Sequence, residues 1–435
     1  MRLVAVADSD SYVKWAAAML GRAPADWQVS LVIVNTPKRP SRDQLVSALS
    51  GTIIDPDDVV TLPFERAMTH VASERADVVL VATIGPLADL VTEAVLERSD
   101  RAPVIVSGVP GIALPARRKA LIYRSQAHLV VLHSQREVRL FEAIARRNAL
   151  PHQFALATLP FLGAKAGHGN ANGDVIFAAQ AIVPPTRAQR VSLLHSLVSF
   201  ACKYPHIRVV IKVRALAGEG QTHPERYDYA VLLREEFAQV PLNLVVEGGP
   251  MADHLRGASA LVTVSSTAAI EAVAMGIPSL VIDDFGVSGD LINEVFIGSG
   301  LLGGTAQLMA RDFRTADEEW LHDNYFHDDS ENSWVSAIEG LVARNRQGLL
   351  AARPRVIRGG GGALRRAWDR KRALGSADRS PSGYLALIVG TPARIVVLGL
   401  HSLVQHALSE QKQHVALDDE AAPLHLDSRS TPRSP

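Results

Sequence analysis

The chain of 435 residues carries 45 Lys+Arg against 45 Asp+Glu, a formal net charge of zero, with 47% hydrophobic and 5% aromatic residues. That balance argues against a protein held to nucleic acid by many phosphate contacts. The single cysteine, Cys202, excludes an internal disulfide framework and a multi-cysteine metal site. The few aromatics disfavour a lectin built on stacking platforms, and at roughly 150 residues per domain the length suggests two or three domains.

The opening run Leu3–Ala7 is too short for the apolar core of a secretory signal and reads as a strand. Further strands are expected at Val29–Val34, Val59–Leu62, Val78–Ala82, Val104–Ser107 and Leu129–Leu132. Between them lie helical patterns at Tyr12–Leu20, Arg42–Leu49, Phe64–Glu74, Leu87–Glu97 and Gln135–Arg147. Ser41 with Gln44, and Ser134 with Glu137, have capping-box spacing. Strands alternating with helices in this way predict a parallel sheet covered on both faces.

The small, polar, Gly-rich stretch 164–173 reads as an interdomain linker. The alternation then restarts, with strands at Val175–Ala178, Val209–Val213, Leu244–Val246, Leu261–Val264 and Leu280–Ile282. Helices are expected at Arg187–Lys203, at Tyr227–Phe237 and from Ala268, with Thr186 and Gln189 as a third capping pair. The organisation is thus two Rossmann-like domains, 1–163 and 174–350, a helical extension over 351–409 and a disordered tail over 410–435. From Arg353 to Arg379 nine basic residues stand against two acidic ones, and the apolar stretch Tyr384–Leu400 that follows is interrupted by Pro392 and Arg394. This pairing favours lying on an anionic membrane surface over spanning it, with packing onto the first domain as the alternative.

Several groups of residues are placed to carry chemistry. Ser265, Ser266 and Thr267 sit where a strand turns into a helix, with Glu271 one turn on. Such a turn presents backbone N–H groups to a phosphate, and the carboxylate can accept from ribose hydroxyls; plain helix capping is the simpler reading. Lys212 and Arg214 end a strand, and a loop with Gln221 and His223 follows; these cations suit a departing phosphate. Glu247 and Gly248 follow the next strand as candidate base or ribose contacts, and Asp283, Asp284 and Asn293 follow a later one as possible cleft residues. On the first domain, Asp8 and Asp10 end the first strand, either as a general base or as helix caps. Ser107, Gly108 and the Pro110-Gly111 turn end a later strand and are expected to line the acceptor side. His133 ends another, as a cleft residue or a satisfied edge histidine. No G-x-G-x-x-G follows the first strand, and G-x-x-x-x-G-K-[ST], H-E-x-x-H and G-x-S-x-G are missing.

The segment Glu271-Ala-Val-Ala-Met-Gly276-Ile-Pro278 resembles the E-A-x-A-x-G-x-P element of GT-B glycosyltransferases, and Ser265-Ser266 resembles the serine motif of bacterial polysialyltransferases and capsule glycosyltransferases. That resemblance implies a GT-B-like α/β fold of two domains facing a cleft, with the nucleotide-sugar held mainly by the second. It implies a metal-independent sugar transfer to a cell-envelope or polysaccharide acceptor, glycan or lipid-linked. No cofactor is implied beyond the nucleotide-sugar substrate, and nucleic acid is not a partner. The location would be cytoplasmic, with peripheral contact at the inner membrane surface. The related enzymes carry a K-P-H-P segment whose histidine meets the donor phosphate. Here the strand ends Lys212-Val213-Arg214 and His223-Pro224 comes later, so His223 and Arg214 are alternatives for that role. A nucleotide-sugar epimerase and a non-catalytic nucleotide- or anion-binding protein at the membrane surface remain as rivals.

Overall fold

The computed structural model describes residues 1–159, 162, 170, 172–213, 226–356 and 362–389. Seven strands form the first sheet: β1 (Arg2–Ala7), β2 (Gln28–Val34), β3 (Val60–Leu62), β4 (Val78–Ala82), β5 (Val104–Gly108), β6 (Leu129–Leu132) and β7 (Gln153–Leu156). All neighbours are parallel, in the order β3-β2-β1-β4-β5-β6-β7. The central strands are buried on both faces, which is why they read as unbroken runs of Val, Ile, Leu and Ala rather than alternating patterns. Helices α1 (Asp10–Gly21), α2 (Arg42–Leu49), α3 (Phe64–Ser73), α4 (Gly85–Arg98), α5 (Arg118–Ile122) and α6 (Gln135–Arg147) connect them.

The second sheet repeats the winding with β8 (Asp174–Ala178), β9 (Val209–Lys212), β10 (Leu244–Glu247), β11 (Ala258–Thr263), β12 (Ser279–Ile282) and β13 (Leu302–Gly303). Its order is β10-β9-β8-β11-β12-β13, again all parallel. Its helices are α7 (Arg187–Lys203), α8 (Tyr229–Glu236), α9 (Met251–Arg256), α10 (Ala268–Ala274), α11 (Thr305–Ala310) and α12 (Glu318–Asp323). In both sheets the chain order reverses beside the first strand, between β1 and β4 and between β8 and β11. Crevices that bind ligands open at such switch points, beyond the carboxyl ends of the strands. Two Rossmann-like parallel-sheet domains in a GT-B-like arrangement are therefore the fold, as the alternation of strands and helices implied.

The capping pairs differ in outcome. Ser41–Gln44 and Thr186–Gln189 close reciprocal boxes. Ser134 accepts from the Glu137 amide at 3.0 Å, but the Glu137 carboxylate is drawn elsewhere. A second departure concerns helix α13 (Trp334–Arg346), which sequence assigned to the second domain. Its Trp334, Ile338, Leu341 and Val342 are buried in the core of the first domain, with Trp15, Met19 and Leu80. Apolar spacing alone does not say which sheet a helix covers. Asp329, Asn332 and Ser333 stitch the return: the Asn332 side chain accepts from the Thr158 amide at 2.7 Å, and Ser333 from the Leu156 amide at 3.1 Å.

The basic run near the C-terminus is not all free charge. Arg355 pairs with Asp89 and Glu93 on α4, and Arg353 donates to the His128 carbonyl. A separate compact unit begins at Gly359. In it, α14 (Gly362–Leu374) and a helix over 381–389 are described. Arg365 pairs with Asp369 at 3.1 Å, Lys371 lies 3.6 Å from the Tyr384 ring centroid, and Leu385, Ile388 and Val389 are exposed. Among the described residues no helix is long and apolar enough to cross a membrane. Pro392, Arg394 and the tail over 410–435 lie outside the described residues.

Candidate active site

A cavity of about 470 Å³ opens between the two sheets at their carboxyl edges. Asp10, Ser11, Lys14 and Trp15 from the start of α1, with Pro110 and Gly111 after β5, form one wall. Gln180 after β8, Lys212 at the end of β9, Met251, and Ser266, Thr267 and Glu271 around the start of α10 form the other. The walls touch: a Cβ built on Gly111, whose φ of +71° suits glycine, would lie 3.6 Å from the Thr267 methyl.

The second-domain wall is set by hydrogen bonds beneath it. Thr263, at the end of β11, donates to the Ala178 carbonyl at 2.9 Å and accepts from the amides of Ser265 and Ser266 at 3.3 and 3.1 Å. That fixes the turn into α10. The buried Ser265 hydroxyl donates to the Ile292 carbonyl at 2.8 Å, so of the serine pair only Ser266 reaches the cavity. The Ser266 hydroxyl accepts from the Ala268 amide at 3.2 Å, while Thr267 makes no side-chain cap bond and is exposed to the cleft. Beside them the buried Arg190 guanidinium donates to the carbonyls of Gln180, Ala181, Pro184 and Tyr227, pinning the loop that carries Gln180; the Gln180 amide in turn donates to the Ser265 carbonyl.

Charge concentrates at Glu271. Burial pushes its carboxyl up from the ordinary glutamate range, and Lys14 and Lys212, one from each domain, oppose that shift. Lys212 is buried and donates to the Val213 carbonyl at 2.6 Å. Among the described residues the cavity lining thus carries two cations, Lys14 and Lys212, two carboxylates, Asp10 and Glu271, and two hydroxyls on the second wall. Among the described residues no three His, Cys, Asp or Glu side chains gather as a metal-ion set.

Behind the first-domain wall, the polar strand-end residues are consumed within their own domain. Asp8 is fully buried and does not line the cavity; Asp10 does. One Asp8 carboxylate oxygen accepts from the Ser9 hydroxyl at 3.2 Å and the Ile84 amide at 3.4 Å, and the other has no partner. Burial raises the Asp8 carboxyl to about 6, with those bonds and the charges of Lys38 and Arg124 pulling the other way. Arg124 lies buried between Ser107, Tyr12 and the Thr83 carbonyl at 3.0, 3.0 and 3.2 Å. Ser107 also donates to the Val81 carbonyl at 2.7 Å, so it faces the sheet and not the cleft. Gly108 is there for packing, since a Cβ would meet Trp15 at 2.5 Å. His133 accepts from the Trp15 indole at 2.7 Å through Nε2 and donates from Nδ1 to the Ala157 carbonyl at 2.8 Å. Burial holds it neutral, with a pKa of about 4. It is a satisfied edge histidine.

Other expected cleft residues are engaged elsewhere. Glu247 is paired with Arg208, and the Gly248 carbonyl accepts from His254 at 2.8 Å; neither lines the cavity. Asp284 caps α11 through the Thr305 amide at 2.9 Å and hydroxyl at 2.5 Å. The buried Asn293 accepts from the Ser288 amide at 2.9 Å and donates to the Gly286 carbonyl at 3.0 Å, shaping its own loop. Asp283 is half-buried outside the cavity lining. Arg214, Gln221 and His223 lie outside the described residues. Sequence reading missed Ser11, Lys14, Trp15 and Gln180. Lys14 had a signal: it is the lone cation in the largely apolar α1, one turn after Asp10 and on its exposed side.

Residues 3–341 match the family described as "Putative glycosyltransferase (DUF6716)". A comparison with curated proteins finds no match. Among solved structures, the chain is similar to a "putative UDP-N-acetylglucosamine 2-epimerase" from Listeria monocytogenes, at 13% identity and a TM-score of 0.53, covering 82% of this chain and 99% of that one. S. aureus MnaA in complex with UDP is 11% identical, with a TM-score of 0.51 and coverage of 82% and 100%. The UDP-GlcNAc 2-epimerase of Methanocaldococcus jannaschii is 11% identical, with a TM-score of 0.50 and coverage of 78% and 99%. At such identities these likenesses establish the shared two-domain fold and no more.

Proposed function

The chain belongs to the putative glycosyltransferase family DUF6716, and from that premise we propose that it transfers a sugar from a nucleotide-activated donor held in the cleft between its two domains. The observation that carries the reading is the cavity itself, in which Lys212, Ser266 and Thr267 face Asp10 and Lys14 across the carboxyl edges of both sheets. The donor's phosphate is bound by Lys212, Ser266 and Thr267, and its ribose by Glu271. The acceptor hydroxyl approaches from the first-domain wall. Its oxygen attacks the anomeric carbon, and the bond from that carbon to the phosphate oxygen breaks with its electron pair leaving on the nucleotide. Asp10 takes the hydroxyl proton, the lysines meet the growing phosphate charge, and the configuration inverts. Asp10 is preferred over Asp8 as base because a base must reach the acceptor, and only Asp10 borders the cavity. With two lysines doing this electrostatic work, the transfer is metal-independent.

The resemblance of the serine turn to polysialyltransferases and capsule glycosyltransferases supports a polysaccharide or cell-envelope acceptor. The exposed apolar side chains beside a basic helix in the unit from Gly359 support peripheral contact with an anionic membrane carrying that acceptor.

Thermal shift against UDP, CDP, GDP and CMP identifies the donor class, since a ligand that binds only the folded state raises the melting temperature. The matching nucleotide-sugar is then incubated with and without glycan acceptors, in EDTA. Sugar transfer only in the presence of acceptor is expected. Conversion of the nucleotide-sugar alone would identify an epimerase, and loss of transfer in EDTA, restored by Mn²⁺, would remove metal independence.

A further inference from the structure

Glu271 stands in the cavity with one lysine from each domain acting on its charge, Lys14 from α1 and Lys212 from the end of β9. All three side chains border the same space. The carboxylate is half-buried, and the cations whose charges act on it belong to opposite walls. A phosphate carries the same sign of charge and more acceptor oxygens, and it competes for the same ammonium groups. Lysine suits such an exchange, being a point charge on a flexible stem.

We propose that Lys14 is a catalytic residue contributed by the first domain, whose ammonium passes from Glu271 to the donor phosphate that carries the leaving oxygen. The donor is then gripped by both walls, and the acceptor-side domain itself stabilises the leaving group. When the anomeric carbon–oxygen bond breaks, its electron pair stays on that phosphate oxygen, and Lys14 and Lys212 meet the charge while the acceptor's proton goes to Asp10. This assignment rests on the cleft's being a nucleotide-sugar site, and it changes the reading of Glu271 from a ribose contact to a competing anion.

The test is calorimetric titration of the full chain with UDP, CDP, GDP and CMP, each beside its nucleoside. For whichever nucleotide binds the unmodified protein, Lys14→Met is expected to weaken binding about tenfold or more, the scale of a lost charge-assisted bond, with nucleoside binding and melting temperature unchanged. Lys14→Arg should keep most of the affinity. Glu271→Gln should tighten nucleotide binding severalfold, because the cations lose their competitor; a ribose contact predicts weakening instead. Nucleotide affinity unchanged in Lys14→Met overturns the assignment of Lys14, and weaker nucleotide and nucleoside binding in Glu271→Gln overturns the exchange. If none of the four nucleotides binds the unmodified protein, the nucleotide-sugar reading itself falls, and this inference with it.

Discussion

The two walls of the cleft come from sheets of the same winding, yet they treat polar residues in opposite ways. At the ends of β1, β5 and β6, Asp8, Ser107 and His133 turn inward and bond to their own domain. At the ends of β9 and β11, Lys212, Ser266 and Thr267 border the open cavity. A polar side chain at the carboxyl end of a parallel strand is therefore not a site residue by position alone. What decides is whether the side chain borders the open space between the domains, as Lys212, Ser266 and Thr267 do and Asp8, Ser107 and His133 do not.

If the first-domain network is structural, breaking it should cost stability. The largest effect is expected at Glu137, whose carboxylate accepts from the Ala113 amide at 2.7 Å, the Tyr325 hydroxyl at 2.7 Å and the His133 amide at 3.2 Å. Glu137→Ala strands three buried donors and should lower unfolding free energy by about 3–5 kcal/mol, read by urea denaturation. A loss under about 1 kcal/mol would mean the network is not what holds this wall.

Asp8 should behave the other way. Its carboxyl titrates at about 6 in the folded chain against 3.8 for an ordinary aspartate, so between those values the folded state binds more protons than the unfolded one. Its contribution to stability is thus present at low pH and lost as pH rises through about 6. His133, held at about 4 against 6.5, contributes stability that is present above 6.5 and lost as pH falls towards 4. Asp8→Asn removes only the first effect. It should stabilise the protein at pH 7, by up to about 3 kcal/mol for a shift of this size, and steepen the rise in stability between pH 4 and 6. Unfolding curves across pH 4–8 check this, and a destabilised Asp8→Asn at pH 7 would give Asp8 an ionised structural role instead.

The open wall should respond in binding. Ser266→Ala removes a bond to the Ala268 amide and should cost about 0.5–2 kcal/mol of stability, with a further loss of nucleotide affinity that stability does not explain. Asp284→Ala serves as its control, since that carboxylate caps α11: about 1 kcal/mol of stability should go, with nucleotide affinity intact. Equal effects of the two variants on nucleotide binding would erase the distinction between polar residues that border the cavity and those that bond inward. Smallest is the membrane effect. Protein should float with anionic vesicles and be released by salt, and a chain ending at Ala352 should not float.

The fold was readable because its signals are local. Runs of β-branched residues, capping pairs at Ser41 and Thr186, and helix-length polar intervals repeat at the spacing of a parallel sheet. The second wall was readable for the same reason, since a strand running into Ser265-Ser266-Thr267 fixes a strand-to-helix turn wherever the rest of the chain lies. What sequence could not give was the other partner in each contact. Ser265 looked equivalent to Ser266 until the Ile292 carbonyl claimed it. Asp284 and Asn293 look like cleft residues until Thr305 and Ser288 are beside them. Lys14 and Glu271 border one cavity from positions 257 residues apart, a juxtaposition no window of sequence contains.

The return of α13 to the first domain bears on how the protein is made. The core around Trp15, Met19 and Leu80 lacks Trp334, Ile338 and Val342 until the entire second domain has been synthesised. On a ribosome adding about 5–20 residues per second, the first sheet waits on the order of ten seconds with one flank uncovered. During that interval the second domain, whose described elements from β8 to α12 form one continuous stretch of chain, is free to fold first. The amino-terminal half is the earlier to be translated and the later to be finished.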